Sequence, residues 1–291
     1  MFKQFICVTA FLALFSSSFA QQADSVVFVN AHWSKKKVSK RTHLLTHHFN
    51  EKNLFAANQN ISYLEVKNRG EKPFIAFGFD PRVLKETRTF ADENNAFAAI
   101  NGTFFDIKNG GSVDYLRVNG QTVNENQLGK GGNRALHQRA AIVIDHNKLQ
   151  IKKWDGSTDW EKNLGESNVM LSGPLLIINN QKETLDTVAF NKLRHPRTAI
   201  GIKPNGNLLF LTVDGRNENS DGMSLFELSK IMSWLGCTSA INLDGGGSTT
   251  LWVRGQNENG VVNYPSDNKK WDHNGQRKVA NVILLKTSPK Q

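Results

Sequence analysis

The sequence predicts an α+β fold: a sheet-rich body of mostly antiparallel hairpins, with two principal helices packed on the sheet. Three observations carry this prediction. Short apolar or alternating runs recur along the chain, and several flank tight turns rich in Asn and Gly, as hairpins require. One segment, Ser224 to Leu235, shows helical periodicity with start and stop signals at its ends. No fixed-period repeat or low-complexity tract interrupts this pattern.

At the N-terminus, Lys3, the apolar core Ile6 to Phe15 and the small-x-small sequence Ser18-Phe19-Ala20 read as a secretion signal. Cleavage there leaves Gln21 as the mature start and an exported protein, periplasmic or secreted. A membrane span needs about 18–20 apolar residues, which this stretch and every later one lack. The runs Ser25 to Val29, Ile61 to Val66 and Phe74 to Phe79 predict strands. They fall in an expected N-terminal extension or subdomain, residues 21–79, packed on a main domain of residues 80–291.

The main domain opens with a predicted helix. Asp80 caps it, Pro81 takes the first position, and Val83, Leu84, Thr87, Phe90 and Ala91 share one side. Ala96 to Ile100 follows as a buried strand. Hairpins come next: Val113 to Val118 with Gln121 to Val123 across Asn119-Gly120, then Ala140 to Ile144 with Leu149 to Ile151. Val169 to Ser172 leads through Gly173-Pro174 to Leu175–Ile178. Thr198 to Ile202 pairs with Leu208 to Val213. In the helix from Ser224, Glu227 completes a capping box, Leu225, Leu228, Ile231, Met232 and Leu235 form the apolar stripe, and Gly236 ends it. Val279 to Leu285 is the final buried strand.

The formal charge of the 291-residue chain is +10, or +9 once Lys3 leaves with the signal. A pI near 9.6 favours an anionic partner such as a phosphorylated glycan or cell-wall polymer. The one dense basic run, Lys35-Lys36-Lys37 with Lys40-Arg41, reads as a solvated segment, and no nucleic-acid-binding motif accompanies it. Cys237 is the lone mature cysteine, which excludes an intramolecular disulfide and a thiolate cluster and suits a small buried hydrophobe.

Four polar clusters each follow an apolar strand, where a rigid scaffold holds side chains over a cleft. They are Asn101-Gly102-Thr103, His195-Pro196-Arg197, Asp214-Gly215-Arg216, and Asp244 followed by Gly245, Gly246, Gly247 and Ser248. Taken singly, each has an ordinary explanation as a turn or loop. Together they supply two carboxylates, two guanidiniums, amide and hydroxyl donors, and a glycine run able to form an anion nest. The strand-like alternation after the glycines excludes a nucleotide P-loop, which needs Gly-Lys-Ser/Thr opening a helix.

This combination resembles the phosphodiester glycosidase family. The resemblance rests on Asn101-Gly102-Thr103-Phe104-Phe105, Pro196-Arg197-Thr198-Ala199-Ile200-Gly201, Val213-Asp214-Gly215-Arg216, Gly222-Met223 and Asn242 through Ser248, in matching order over residues 80–286. Thr103 departs from the glycine that many members carry there. The resemblance implies a hydrolase that cuts the bond between a sugar and a phosphodiester. Arg197, Arg216 and the Gly245–Ser248 backbone would hold the phosphate, because a guanidinium fork donates two parallel bonds to its oxygens. Asn101 and Thr103 would complete substrate binding. Asp244 and Asp214 are the candidate base, nucleophile or oxocarbenium stabiliser. His195 is a candidate proton donor with an equally good role in a structural loop.

No cofactor is required by this chemistry. Asn217, Asn219, Asp221 and Gly222 mimic half of a calcium-binding loop, but Leu228 occupies the place of its glutamate, so a divalent cation is weakly supported. Trp252, Trp271, Tyr115 and Phe105 are candidates for stacking on a sugar, with core packing as the default for each. The competing function is a noncatalytic envelope glycan-binding or polysaccharide-assembly protein that keeps the same cleft. The sequence leaves the sugar, the stereochemistry and the oligomeric state open.

Overall fold

The structure, a computed structural model, describes residues 24–287; the expected signal peptide and cleavage point lie outside that range. Residues 24–29 form helix α1. There follow β1 (Ser34–Ser39), β2 (Thr42–Leu54), β3 (Ala57–Val66), β4 (Phe74–Phe79), α2 (Thr87–Glu93), β5 (Ala96–Asn101), β6 (Leu116–Val118), β7 (Gln121–Asn124), β8 (Ala140–Asp145) and β9 (Lys148–Lys153). The second half holds β10 (Asn168–Ser172), β11 (Leu175–Ile178), β12 (Gln181–Lys182), α3 (Ala189–Lys192), β13 (Arg197–Ile202), β14 (Leu208–Val213), α4 (Leu225–Trp234), β15 (Ser239–Asn242), β16 (Leu251–Val253) and β17 (Asn281–Lys286).

The strands form three sheets. An eight-stranded sheet runs β1-β2-β3-β14-β13-β15-β11-β12, a five-stranded sheet β7-β6-β10-β8-β9, and a four-stranded sheet β16-β5-β17-β4. The named strand pairs are antiparallel throughout. Strand alternation sends side chains to opposite faces. Ile200, Phe210 and Ile241 therefore enter a central core shared with Ile142 and Met170 of the five-stranded sheet and Ile100 and Ile283 of the four-stranded one. Ala199, Leu209, Leu211 and Ala240 face the other way, under Leu225, Leu228, Ile231 and Met232 of α4. Phe90 and Ala91 of α2 cover the outer face of the four-stranded sheet. The two principal helices thus cap sheet faces, as the α+β expectation requires.

Turn chemistry sets the hairpins. Asn119 and Gly120 have φ of 51° and 80°, and His146 and Asn147 45° and 58°, the left-handed pairs that match strand twist. The Ser224 hydroxyl accepts from the Glu227 amide at 3.2 Å while the Glu227 carboxylate accepts from the Ser224 amide at 2.9 Å, closing the expected capping box. Cys237 is buried against Gly201, and burial pushes its thiol up to about 12.

Two expectations are corrected. Ser25 to Val29 lies in helix α1, because Phe28 inserts among Trp33, Phe49 and Trp234 and this contact outweighs the β-branched local sequence. The helix expected from Asp80 begins at Thr87. Asp80 caps a turn only, accepting from the Arg82 and Val83 amides, and the next residues are drawn into a bridge between Lys85 and Val279. The Lys35–Lys37 segment is solvated as expected, and forms the edge strand β1, whose exposed lysines discourage further strand pairing. Strands β1, β2 and β3 belong to the large sheet. β3 pairs with β14 over six consecutive positions from Ile61–Val213 to Val66–Leu208.

Candidate active site

The sheets bring the four polar clusters to one end of the molecule. β13 starts at Arg197, β14 delivers Asp214, β15 ends at Asn242 just before Asp244, and β5 ends at Asn101. Because β13 pairs antiparallel with both β14 and β15, these termini meet. A separate cavity of about 380 Å³ is lined by Ile202 and Leu208 at the opposite ends of the same strands, and it contains none of these residues.

Asn101 ties the end together. Its Oδ1 accepts from the Thr198 hydroxyl at 2.8 Å and the Thr250 amide at 3.0 Å, and its Nδ2 donates to the Asp244 carbonyl at 2.7 Å. The Asp244 amide donates back to the Gly102 carbonyl at 3.1 Å. Asp244 is therefore clamped through its backbone while its carboxyl stays half-buried and takes one amide bond, from Gly245 at 2.9 Å. Burial pushes this carboxyl up to about 6. The Ser248 hydroxyl, the Gly245 amide and the Arg277 charge oppose the shift, and the Asp114 charge adds to it.

The glycine run departs from the expected open nest. The Gly246 amide donates to the Pro196 carbonyl at 2.9 Å, and the Ser248 and Thr249 amides close a short 3₁₀ turn over Gly246–Ser248. Most of its donors are thus already engaged, and the glycines serve close approach instead. A side chain on Gly245 would lie 2.6 Å from the Pro196 carbonyl oxygen. One on Gly246, where φ is 61°, would lie 2.9 Å from Arg216 Nη2, and one on Gly247 would meet Asp267 and Arg277. Arg216 is exposed, has φ of 65°, and makes no hydrogen bond or ion pair among the described residues. Its guanidinium lies over the glycines and remains available to an anion.

The other expected site residues are built into the frame. Arg197 is 1% exposed. Its Nε donates to the Met223 carbonyl at 2.8 Å and its Nη2 to the Phe190 and Leu193 carbonyls at 2.7 and 3.0 Å. That guanidinium ties α3 to the entrance of α4, in place of the fork expected on a phosphate. Asp214 is equally buried, and accepts from Asn60 Nδ2 at 2.8 Å, Asn263 Nδ2 at 2.8 Å and the Tyr264 amide at 2.9 Å. Burial raises its pKa against these three bonds, two on Oδ1 and one on Oδ2. The His195 imidazole is lowered by burial and then by the Arg197 and Arg216 charges, which works against its acting as an acid near neutral pH. Trp252 and Tyr115 are core residues, and Phe105 packs beside the α2 cluster. Trp271 is half-buried and stacks on Tyr264 with ring centres 4.1 Å apart. In the Asn217–Asp221 loop, carbonyls bond to Asn58 and His48, and Asp221 lies 3.7 Å from Arg194.

Two groups escaped the sequence reading. Arg277 binds Asp267 through Nε at 2.9 Å and sits against Gly247, close enough to act on the Asp244 charge. Asp114, fully buried, accepts from the Thr103 hydroxyl at 2.8 Å and faces His137 Nδ1 at 2.8 Å. Neither stands in a motif. Their one signal is charge in loops that border the predicted clusters.

Comparison with known proteins shows the family and the fold. A sequence model of the phosphodiester glycosidase family matches residues 94–286. A Bacillus subtilis SPbeta prophage-derived uncharacterized protein, YomE, is 31% identical over 118 residues, covering 35% of this chain and 18% of the relative. The Bos taurus N-acetylglucosamine-1-phosphodiester alpha-N-acetylglucosaminidase is 38% identical over 89 residues, covering 30% of this chain and 16% of the relative. The matched segments are thus less than a fifth of these relatives' length. Among solved structures, the zebrafish enzyme of the same name, a catalytic domain auto-inhibited by its pro-peptide, superimposes with a TM-score of 0.64 and 18% identity over 92% of both chains. A hypothetical protein from Synechocystis gives a TM-score of 0.63 at 15% identity, covering 88% of this chain and 64% of that one.

Proposed function

The chain belongs to the phosphodiester glycosidase family, and from that premise we propose that it hydrolyses the glycosidic bond of a sugar 1-phosphodiester. The substrate is a glycan or cell-envelope polymer met outside the cytoplasm, in the periplasm or after secretion. Its catalytic carboxylate is Asp244. One observation carries the proposal: a half-buried carboxyl with its pKa raised to about 6 lies beside a glycine turn over which the unengaged Arg216 guanidinium sits.

The chemistry follows from the bond to be broken. The diester phosphate carries one negative charge, which Arg216 and Arg277 can hold at the glycine turn. As the C–O bond lengthens, positive charge grows on the sugar ring and the Asp244 carboxylate stabilises it or takes a proton from the attacking water. The departing phosphomonoester has a second pKa of about 6, so it demands less protonation than a sugar alkoxide. Asp214 and Arg197 act one layer back, holding the 214–223 loop and α3 in register. Trp271, on its Tyr264 support, is the aromatic surface offered to a sugar ring.

A panel of synthetic sugar 1-phosphodiesters, with N-acetylglucosamine among the sugars, tests this directly. Release of free sugar and phosphomonoester is expected for at least one, with inorganic phosphate or sulfate competing. Binding of the panel without turnover would replace this function by a noncatalytic glycan-binding one.

A further inference from the structure

We propose that His137 donates the proton to the departing phosphate oxygen, and that Asp114 and Thr103 are the residues that position it. This rests on the hydrolytic reaction proposed above and assigns the acid that reaction lacks.

The geometry is that of an oriented imidazole. Asp114 is fully buried, yet both its oxygens are engaged by side chains: Oδ1 lies 2.8 Å from His137 Nδ1 and Oδ2 accepts from the Thr103 hydroxyl at 2.8 Å. A carboxylate facing Nδ1 holds the proton on that nitrogen and turns Nε2 toward any ligand. The His137 side chain is 28% exposed while its Asp114 support is fully buried. The Phe104 ring packs on the imidazole with centres 4.5 Å apart and fixes its plane.

The placement relative to Asp244 comes from one shared turn. Thr103 and Phe104 support His137, while Asn101 and Gly102, their immediate neighbours, hold the Asp244 backbone at 2.7 and 3.1 Å. The Asp114 charge is felt at the Asp244 carboxyl. Acid and carboxylate are thus both tied to residues 101–104. Thr103, read in the sequence as a substrate contact, gains a different task, because its hydroxyl donates inward. The contacts among Thr103, Asp114 and His137 alone would make a loop clamp; the acid role adds a use for a partly exposed imidazole mounted on the turn that also holds Asp244.

The step balances. Water adds its oxygen to the anomeric carbon and gives a proton to Asp244. The bond from that carbon to the phosphate oxygen breaks, its electron pair staying on oxygen, and this oxygen takes the Nε2 proton of the imidazolium. Sugar and phosphomonoester leave, and the proton on Asp244 returns to His137 through solvent.

The test compares two diesters of the same sugar, one releasing methyl phosphate and one releasing the more acidic 4-nitrophenyl phosphate. His137→Gln is expected to lower kcat about a hundredfold on the methyl diester, the scale of general acid catalysis, and several-fold less on the nitrophenyl diester. Asp114→Asn and Thr103→Val are expected to show the same leaving-group bias in weaker form, which a purely structural role would not produce. Circular dichroism confirms folding, and half-exposed His137 makes its variant the safest of the three. Equal losses of His137→Gln on both diesters overturn the assignment while leaving the proposed function standing. Wild-type inactivity on both diesters across the whole sugar panel overturns the function and this assignment with it.

Discussion

Asp244 concentrates a conflict between stability and chemistry. A carboxyl raised to about 6 by burial binds its proton more tightly in the folded chain than in the unfolded one, where it titrates near 3.9. Its contribution to stability is complete below the ordinary carboxylate range and is lost as pH rises through about 6. Asp244→Asn keeps the acceptor for the Gly245 amide and removes the charge. It is therefore expected to abolish turnover while raising stability above pH 7 by on the order of 2 kcal/mol, a gain that fades toward pH 4. Melting curves of both forms between pH 4 and 8 check this; a variant less stable at pH 8 would assign Asp244 to the scaffold. The two arginines separate in the same way. Arg197→Lys loses bonds from a buried guanidinium to three backbone carbonyls and should cost about 2–4 kcal/mol in urea unfolding. Arg216→Lys should leave stability within about 0.5 kcal/mol and raise KM for phosphodiesters instead. Sequence motifs named both arginines and both aspartates, but burial alone divides them into frame and surface. Asp114 and His137 stayed illegible because they lie 23 positions apart, one in a bend and one in the short 3₁₀ turn Leu136–Gln138, where no period or spacing links them.

At the scale of elements, legibility followed local chemistry. α4 was legible because its cap, apolar stripe and C-terminal glycine all agree, and the Asn119-Gly120 hairpin because few dipeptides take two positive φ values. α1 was not, since its helical state depends on where Phe28 docks, a tertiary fact. β2 hid for another reason: its 13 residues mix buried and exposed positions without clean alternation, past a register shift between Phe49 and Leu54. The capping box has a consequence beyond the helix. Glu227 also binds Arg194, with Arg194 Nη2 at 2.6 Å, and Met223 just before the cap accepts from Arg197. Ser224→Ala should therefore cost about 1 kcal/mol, as loss of an N-cap does. It should also lower kcat measurably, because the loop bearing Gly215 and Arg216 packs against the same entrance. Chemical denaturation and steady-state kinetics on one preparation read both effects. A stability loss without any kinetic change would uncouple the cap from the site.

At the scale of the whole molecule, the site exists because one sheet end gathers loops from distant parts of the sequence. The family match begins at residue 94, yet Asp214 takes a bond from Asn60 at 2.8 Å, on a strand outside the match. The Gly222 carbonyl likewise accepts from Gln59 at 2.8 Å. The first strands are thus part of the machinery that holds the 214–223 loop, although sequence patterning set them apart as residues 21–79. A strand signal says where a chain is extended and not which edge it joins, so the pairing of β3 with β14 could not be read in advance. A chain beginning at residue 80 should consequently fail to fold. It loses the partner of β14 along six register positions, and it loses Ile61, Tyr63, Leu64, Val66, Ile75 and Phe77 from the two largest cores. Burying each such side chain stabilises a fold by about 1.5–3 kcal/mol. Six of them together match or exceed the roughly 5–15 kcal/mol that separates a typical domain from its unfolded state. Near-ultraviolet circular dichroism and amide exchange on the shortened chain decide the matter. A cooperative melt with protected β13–β15 amides would show that residues 80–287 form an autonomous unit and that the first strands are an appendage.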